Sequence, residues 1–121
     1  MYKILLYENR KGYSELEEQL KNLSEEAQTN KDSRIQFEQI ILYVELLQKR
    51  GTNLSSNITK YLDDDLWELR PGKNRIFYFQ FNDNTFVLLH MFRKKSQKTP
   101  KLERERALRE IADYRERNEV R

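Results

Sequence analysis

The 121-residue chain contains no cysteine and a single histidine. Without thiols it has no disulfide framework, no thiol nucleophile and no cysteine-based structural zinc site. With one imidazole there is almost nothing from which to build a histidine metal site. The sequence therefore predicts a protein without a metal centre.

Long apolar segments are also missing. No run approaches the roughly 20 residues that a helix needs to span a bilayer. The N-terminal stretch MYKILLYENR has too short an apolar run for a signal peptide and lacks a small-residue cleavage site. We therefore expect a cytoplasmic protein without membrane contact. Its length is that of one domain, residues 1–121.

Charged residues are abundant but unevenly distributed. They make up 36% of the chain, yet the net charge is only +3. Residues 66–101 contain eight basic and two acidic side chains, a net charge of +6, and the rest of the chain carries −3. A basic region on a near-neutral body indicates a local anionic partner. A lysine-rich surface that only keeps the protein in solution explains the split equally well.

A strand and a helix are predicted at the start of the chain. Residues 2–7 are typical of a short strand. Ser14 and Glu17 have the spacing of a capping box, in which each side chain satisfies a free amide at a helix start, so we expect a helix over residues 14–28. Its apolar stripe consists of Leu16, Leu20 and Leu23.

A second helix follows after a short polar turn. Asp32 or Ser33 caps its start. Gly51 ends it, because glycine readily adopts the left-handed conformation found just beyond a helix. The two helices form an antiparallel hairpin whose apolar side packs on a sheet. The apolar positions of the second helix are Phe37, Ile40, Ile41, Val44 and Leu47.

The hydrophobic period changes to two in the second half of the chain. Residues 52–65 are polar and predicted to be irregular. Strands are predicted at residues 66–70, 75–81 and 85–92. The last two are apolar on both sides, so we expect them to be central and covered on one face by helices. The aromatic side chains assigned to the core are Trp67, Phe77, Phe79, Phe81 and Phe86.

The last helix is predicted to begin at Thr99 and Pro100, with threonine as the N-cap and proline in the first turn. The resulting order, β-α-α-β-β-β-α, indicates an α+β fold. In this fold the helical hairpin and the C-terminal helix pack on a small, largely antiparallel sheet.

Basic residues cluster where the predicted strands end. Arg70 and Arg75 flank a turn, and Arg93 opens a run of cations after the last strand. Because the last two strands form a hairpin, we expect Arg75 and Arg93 to be neighbours across the ladder, beside Glu68. Guanidinium groups match phosphate, and an anionic ligand relieves the repulsion among them. Arg70 has an alternative partner in the acidic run at residues 63–65.

His90 lies in the middle of the last strand, between apolar residues. We expect it to face the same side as Phe86, Leu88 and Phe92. A histidine in this position is more often a satisfied core residue than a catalytic group.

The stretches LWELRPGKNRIFYF and LLHMFRKKSQKTP resemble the RelE/HigB toxin superfamily, and its HigB-type branch in particular. The resemblance covers residues 66–115, and the two preceding helices match the family order. It implies the toxin of a phage-derived type II toxin–antitoxin system. Such toxins are mRNA endonucleases that act on the ribosome. They cut by attack of the RNA 2′-hydroxyl on the adjacent phosphate, without metal or cofactor.

The resemblance also implies catalytic roles for individual residues. Glu68 is the candidate general base, and Arg70 lies in the same catalytic segment. Arg75 and Arg93 are assigned to phosphate stabilisation. Lys94, or the lysine after it, acts as the acid or binds backbone phosphates. The residues assigned to RNA binding are Lys73, Lys95 and Lys98.

The implied partners are a helix-turn-helix antitoxin of the HigA type, the ribosome and mRNA. Operator DNA is contacted only through the antitoxin. The alternative from another functional class is a non-catalytic protein that binds nucleic acid or a partner through the same basic edge. A phage-borne protein with a degraded toxin site is a third interpretation.

Overall fold

A computed structural model describes residues 1–119. The helices are α1 (Glu15–Glu26), α2 (Lys31–Arg50) and α3 (Lys101–Asn118). The strands are β1 (Lys3–Leu6), β2 (Thr59–Asp63), β3 (Leu66–Leu69), β4 (Asn74–Asn82) and β5 (Thr85–Arg93). None of the described helices is both long and apolar enough to cross a membrane.

The strands form one sheet in the order β1-β5-β4-β3-β2. All neighbouring pairs are antiparallel except β1 and β5, which are parallel. The predicted α+β class and largely antiparallel sheet are therefore confirmed. The predicted central position of β4 and β5 in the sheet is also confirmed.

Strand β2 lies in the segment that we expected to be irregular, so the predicted count of strands is one too low. It forms a hairpin with β3 through Asp64 and Asp65, whose φ angles of 49° and 69° are left-handed. Two-residue hairpin turns usually carry asparagine or aspartate followed by glycine. The pair of aspartates lacks that glycine, and the sequence signal for the hairpin is correspondingly weak.

Helices cover both faces of the sheet, whereas the sequence predicted one. The hairpin of α1 and α2 packs on one side, called here the hairpin face, and α3 packs on the other, the α3 face. Buried residues on the hairpin face include Leu16, Ile40, Leu47, Leu69, Ile76, Tyr78, Phe86 and Leu88. Those on the α3 face are Leu66, Phe77, Phe79, Val87, Leu89, Ala107 and Ile111.

The starts of α1 and α2 follow local capping rules, with one shift. Ser14 Oγ accepts a hydrogen bond from the backbone N–H of Glu17 at 3.1 Å, as predicted. The cap of α2 is Asn30, not Asp32 or Ser33: Asn30 Oδ1 accepts from the N–H of Ser33 at 2.9 Å. Asparagine is an equally good cap, so the helix begins earlier than expected.

A bulge in β5 turns His90 towards α3. Two residues of β5, Leu89 and His90, oppose the single residue Phe77 of β4. Such an insertion moves the following side chains to the other face of the sheet. His90 therefore lies on the α3 face, and the expectation that it faces the same side as Phe86 and Leu88 is wrong. Its burial in the core, with 1% exposure, is confirmed.

Gly51 at the end of α2 is expected to be intolerant of a side chain. Its φ is 60°, and a Cβ there would lie 2.7 Å from Cε2 of Tyr2. We expect Gly51→Ala to lower the free energy of unfolding by about 3 kcal/mol, through backbone strain and steric overlap together. Chemical denaturation measures this loss.

Gly12 provides the matched control. Its φ is 80°, but a Cβ there would meet no atom within 4 Å. Gly12→Ala should therefore lose only the backbone term, about 1 kcal/mol. Equal losses of stability in the two variants would mean that steric overlap with Tyr2 does not contribute to the effect of Gly51→Ala.

Candidate active site

A single buried carboxylate forms the centre of the candidate site. Glu68 lies on β3, pairs with Phe77 of β4 and is only 3% exposed. A carboxylate removed from water needs cationic or hydrogen-bonding partners. Its Oε1 lies 3.4 Å from Nε of Arg70 and 3.7 Å from Nε of Arg75. Its Oε2 accepts a hydrogen bond from the Thr99 hydroxyl at 3.3 Å.

The turn between β3 and β4 holds Arg75 in place. Nη1 of Arg75 donates to the carbonyl oxygens of Gly72 at 2.7 Å and Asn74 at 2.8 Å. Nη2 makes no side-chain hydrogen bond to any of residues 1–119, so it is available to a ligand. Burial lowers the pKa of Arg75, the charge of Glu68 opposes that shift, and the charge of Arg70 adds to it.

Arg70 belongs to the same cluster. Its Nη1 donates to the carbonyl oxygen of Ser56 at 3.1 Å. Its Nε is buried and pairs with Oε1 of Glu68 at 3.4 Å, but makes no hydrogen bond within the described part of the chain. The alternative pairing of Arg70 with the acidic run at 63–65 is wrong, because Arg70 pairs with Glu68. Asp63 and Asp65 pair with Arg104 and Arg115 instead.

Arg93 does not join this cluster. Its backbone is next to β4, as expected, but its direct partner is Asn74. Successive residues of a strand point to opposite faces, so Arg75 and Arg93 lie on opposite sides of the sheet. On the hairpin face, Arg93 Nη1 and Asn74 Nδ2 both donate to Gln36 Oε1, at 2.9 and 3.1 Å. The predicted placement of the Arg93 side chain beside Glu68 is therefore wrong.

The segment between β5 and α3, residues 94–100, covers the carboxylate and is called here the strap. A cavity of about 20 Å³ remains between the strap and the sheet. That is enough for a water molecule and not for a nucleotide. The sheet contributes Glu68, Arg70, Arg75 and Phe92 to its lining, and the strap contributes Lys94, Ser96, Gln97, Lys98, Thr99 and Pro100.

The lysines assigned to the site from the sequence differ in exposure and in whether they line the cavity. Lys94 is half-buried and lines the cavity, and its N–H donates to the carbonyl oxygen of Lys73 at 2.7 Å. Lys98 is exposed and lines both this cavity and a neighbouring groove that reaches Lys60. Lys73 and Lys95 are exposed and do not line the cavity.

Thr99 and Phe92 are site residues that sequence reasoning did not assign. The sequence placed the Thr99 hydroxyl at the start of α3, but the N-cap is Pro100 and no side chain caps that helix. Nothing local indicates a bond to a residue 31 positions earlier. Phe92 lines the cavity beside the cluster. Trp67 and Tyr78 instead pack on the hairpin face.

This geometry combines two chemical capacities. Glu68 is a proton acceptor, and two guanidinium groups lie within 4 Å of its Oε1. Guanidinium donors match the oxygens of a phosphodiester. A carboxylate beside a bound phosphodiester can take the proton of an adjacent hydroxyl.

Comparison with known proteins identifies the family. The family model for phage-derived Gp49-like proteins (DUF891) matches residues 18–112. The chain belongs to the Gp49-like family. None of the curated proteins is similar enough in sequence to match this Gp49-like chain.

Two solved structures resemble the Gp49-like chain in fold. One is a chain of the archaeal RelE–RelB complex from Pyrococcus horikoshii OT3, with 13% identity and a TM-score of 0.54. The match covers 80% of this chain and 98% of that one. The other is a chain of the YoeB–YefM complex from Staphylococcus aureus, with 14% identity and a TM-score of 0.54, covering 79% and 99%. At these identities the similarity establishes a shared fold.

Proposed function

We propose that this Gp49-like protein is the toxin of a type II toxin–antitoxin pair, of the HigB branch, and a ribosome-dependent mRNA endonuclease. The observation that carries the proposal is Glu68, buried against Arg70 and Arg75 at one end of the sheet. The RelE-like fold and the resemblance of residues 66–115 to RelE/HigB toxins support it.

The proposed reaction uses the RNA's own 2′-hydroxyl as the nucleophile. Oε2 of Glu68 takes the hydroxyl proton, and the 2′-oxygen bonds to the adjacent phosphorus. The bond from phosphorus to the 5′-oxygen breaks, and that oxygen leaves with a proton. The products are a 2′,3′-cyclic phosphate and a 5′-hydroxyl end.

Cationic side chains have distinct roles in this scheme. Arg75 and Arg70 stabilise the charge that develops on the phosphorane oxygens. Lys94 protonates the leaving oxygen, because it lines the same cavity and an ammonium donates a proton more readily than a guanidinium does. Lys98 and the exposed lysines Lys73 and Lys95 bind flanking phosphates. Arg93 has no part in the scheme, since its side chain is on the hairpin face.

We propose a helix-turn-helix antitoxin of the HigA type as the partner that silences the protein. Two structural neighbours are a RelE chain in complex with RelB and a YoeB chain in complex with YefM, which supports control by a bound partner. In this proposal the ribosome presents the message, and operator DNA is reached only through the antitoxin.

The test is a cleavage assay with the full chain, ribosomes and a defined mRNA. We expect cleavage on the ribosome, with a 2′,3′-cyclic phosphate on the upstream fragment. A message that carries 2′-deoxyribose at the cleaved nucleotide should remain intact, because its nucleophile is missing. The all-ribose message is the positive control, and the same RNA without ribosomes tests ribosome dependence.

Two outcomes would overturn this proposal. Cleavage of the deoxyribose message at the same position would exclude 2′-hydroxyl attack. RNA or partner binding without any new RNA ends would instead favour a non-catalytic binding protein that uses the same basic edge.

A further inference from the structure

Thr99 connects the strap to the proposed general base. Its hydroxyl donates to Oε2 of Glu68, while Oε1 faces the guanidinium groups of Arg70 and Arg75. Oε2 is therefore the oxygen left to accept a proton from a substrate. In this structure that oxygen already accepts a hydrogen bond from the Thr99 hydroxyl.

The Thr99 hydroxyl is directed away from the helix that follows. Threonine at a helix start commonly accepts a hydrogen bond from a free N–H of the first turn. Here α3 begins at Lys101, with Pro100 as the N-cap and no side-chain cap, although Thr99 directly precedes Pro100. The side chain of Thr99 thus ties the strap to β3 and does not cap α3.

Within residues 1–119, few other hydrogen bonds hold the strap. At its start the Lys94 N–H bonds to Lys73, and inside it Ser96 Oγ donates to the carbonyl oxygen of Lys98 at 3.1 Å. The bond from Thr99 to Glu68 is the side-chain hydrogen bond that joins the described strap to the sheet.

We infer that the strap is a self-closing cover over the active site, in which Thr99 occupies the place of the substrate's 2′-hydroxyl on Glu68. This inference rests on the proposed function, because it takes Glu68 as the base. The cavity of about 20 Å³ beneath the strap has no room for a phosphodiester. An open groove beside it is also lined by Glu68, Arg70 and Thr99, but Glu68 itself is only 3% exposed and its Oε2 is bonded to Thr99. Substrate entry therefore requires the strap to move and Thr99 to release Oε2. Thr99 is a positioning residue that yields to the substrate.

Charge makes the cover responsive to RNA. The cavity brings Lys94 and Lys98 of the strap close to Arg70 and Arg75 of the sheet, with Glu68 as the acidic side chain among its lining residues. Like charges oppose closure of the empty site, and the Thr99 bond counteracts them. A bound RNA backbone replaces that bond with phosphate contacts, so the strap closes again on its substrate.

Limited proteolysis tests the cover without RNA. Trypsin cleaves after lysine, and the strap contains Lys94, Lys95 and Lys98. In Thr99→Val the hydroxyl is lost with little change in shape, so we expect tryptic cleavage within the strap to be about fivefold faster. Thr99→Ser keeps the hydroxyl and should be cut at the wild-type rate. Chemical denaturation of each variant separates local release of the strap from a loss of global stability.

The cleavage assay with ribosomes supplies the second readout. For Thr99→Val we expect the KM for mRNA to fall several-fold with kcat within about twofold of wild type, because the competing hydroxyl is gone. An unchanged rate of strap proteolysis in Thr99→Val would overturn the inference. A lower kcat at unchanged KM would also overturn it, since the hydroxyl would then assist the chemical step.

The two proposals fail in different ways. A protein that cuts no RNA but whose strap is released by Thr99→Val loses the endonuclease proposal and, with it, the role of Thr99 as a stand-in for the 2′-hydroxyl, but keeps the strap as a cover over Glu68. A protein that cuts RNA with a strap indifferent to Thr99 keeps the endonuclease proposal and loses the cover.

Discussion

Replacing Arg75 by alanine is expected to lower the rate of RNA cleavage by about 10²–10³-fold. Arg75 is 7% exposed, its Nη1 is fixed by two carbonyl groups of the turn, and its Nη2 remains for the phosphate. A donor held in place before the reaction stabilises developing charge without reorganisation, which is why its loss is costly. Single-turnover cleavage on the ribosome measures the effect.

Arg93→Ala is the matched control for Arg75→Ala. Both substitutions remove one guanidinium at the same end of adjacent strands, so their long-range electrostatic effects are similar. Arg93 is bonded to Gln36 on the hairpin face, and its loss should change the cleavage rate by no more than about threefold. Equal losses of cleavage rate in the two variants would contradict a site confined to the α3 face. They would favour the arrangement expected from the sequence, with Arg75 and Arg93 side by side next to Glu68.

Arg75→Lys separates charge from geometry. It retains a positive charge but not the planar fork that binds two oxygens. An intermediate loss of about tenfold would indicate that the fork contributes. Denaturation curves are needed for each variant, because removing Arg75 leaves Glu68 with one fewer cationic neighbour.

The substitution His90→Leu is expected to lower the free energy of unfolding by about 3 kcal/mol, and the Tm by about 10 °C. His90 Nδ1 lies 2.6 Å from Oε1 of Glu110, a carboxylate that is 9% exposed. Arg106 Nε approaches the other oxygen of Glu110 at 3.4 Å. Loss of the imidazole leaves a buried carboxylate oxygen without a partner, and thermal and chemical denaturation both report the cost.

A double-mutant cycle shows whether this loss comes from the pair. His90→Leu with Glu110→Leu removes both polar groups together, so no buried carboxylate is left behind. We expect the double variant to lose clearly less stability than the sum of the two single variants. Additive losses would mean that the 2.6 Å contact contributes little and that packing around His90 decides the result.

The cluster of Glu68, Arg70 and Arg75 was predictable because it is local. The three residues lie within one hairpin, and alternation along β3 and β4 is enough to bring them together. Element order was predictable for a similar reason, since capping boxes, helical periods and strand alternation are short-range patterns. The hairpin turn at Asp64 and Asp65 was not predictable from such patterns, because neither of its two left-handed residues is a glycine.

The β4–β5 ladder has two irregularities, and the face on which Arg93 lies depends on the one at Leu89 and His90. Without it, the pairing of Tyr78 with Leu88 would continue in step and set Arg93 opposite Lys73, on the same face as Arg75. The extra residue in β5 shifts that partner to Asn74 and turns the Arg93 side chain to the hairpin face. The same shift sends His90 towards Glu110.

The amino-acid sequence by itself determined the elements other than β2, their order, and the carboxylate with its two guanidinium neighbours, because these follow from spacing within a helix, strand or hairpin. Only the tertiary structure decided the faces of Arg93 and His90 and the bond from Thr99 to Glu68. The physical reason is that a strand's side-chain period is local, whereas its register against a neighbour and the path of a connecting segment are settled by packing across the whole sheet.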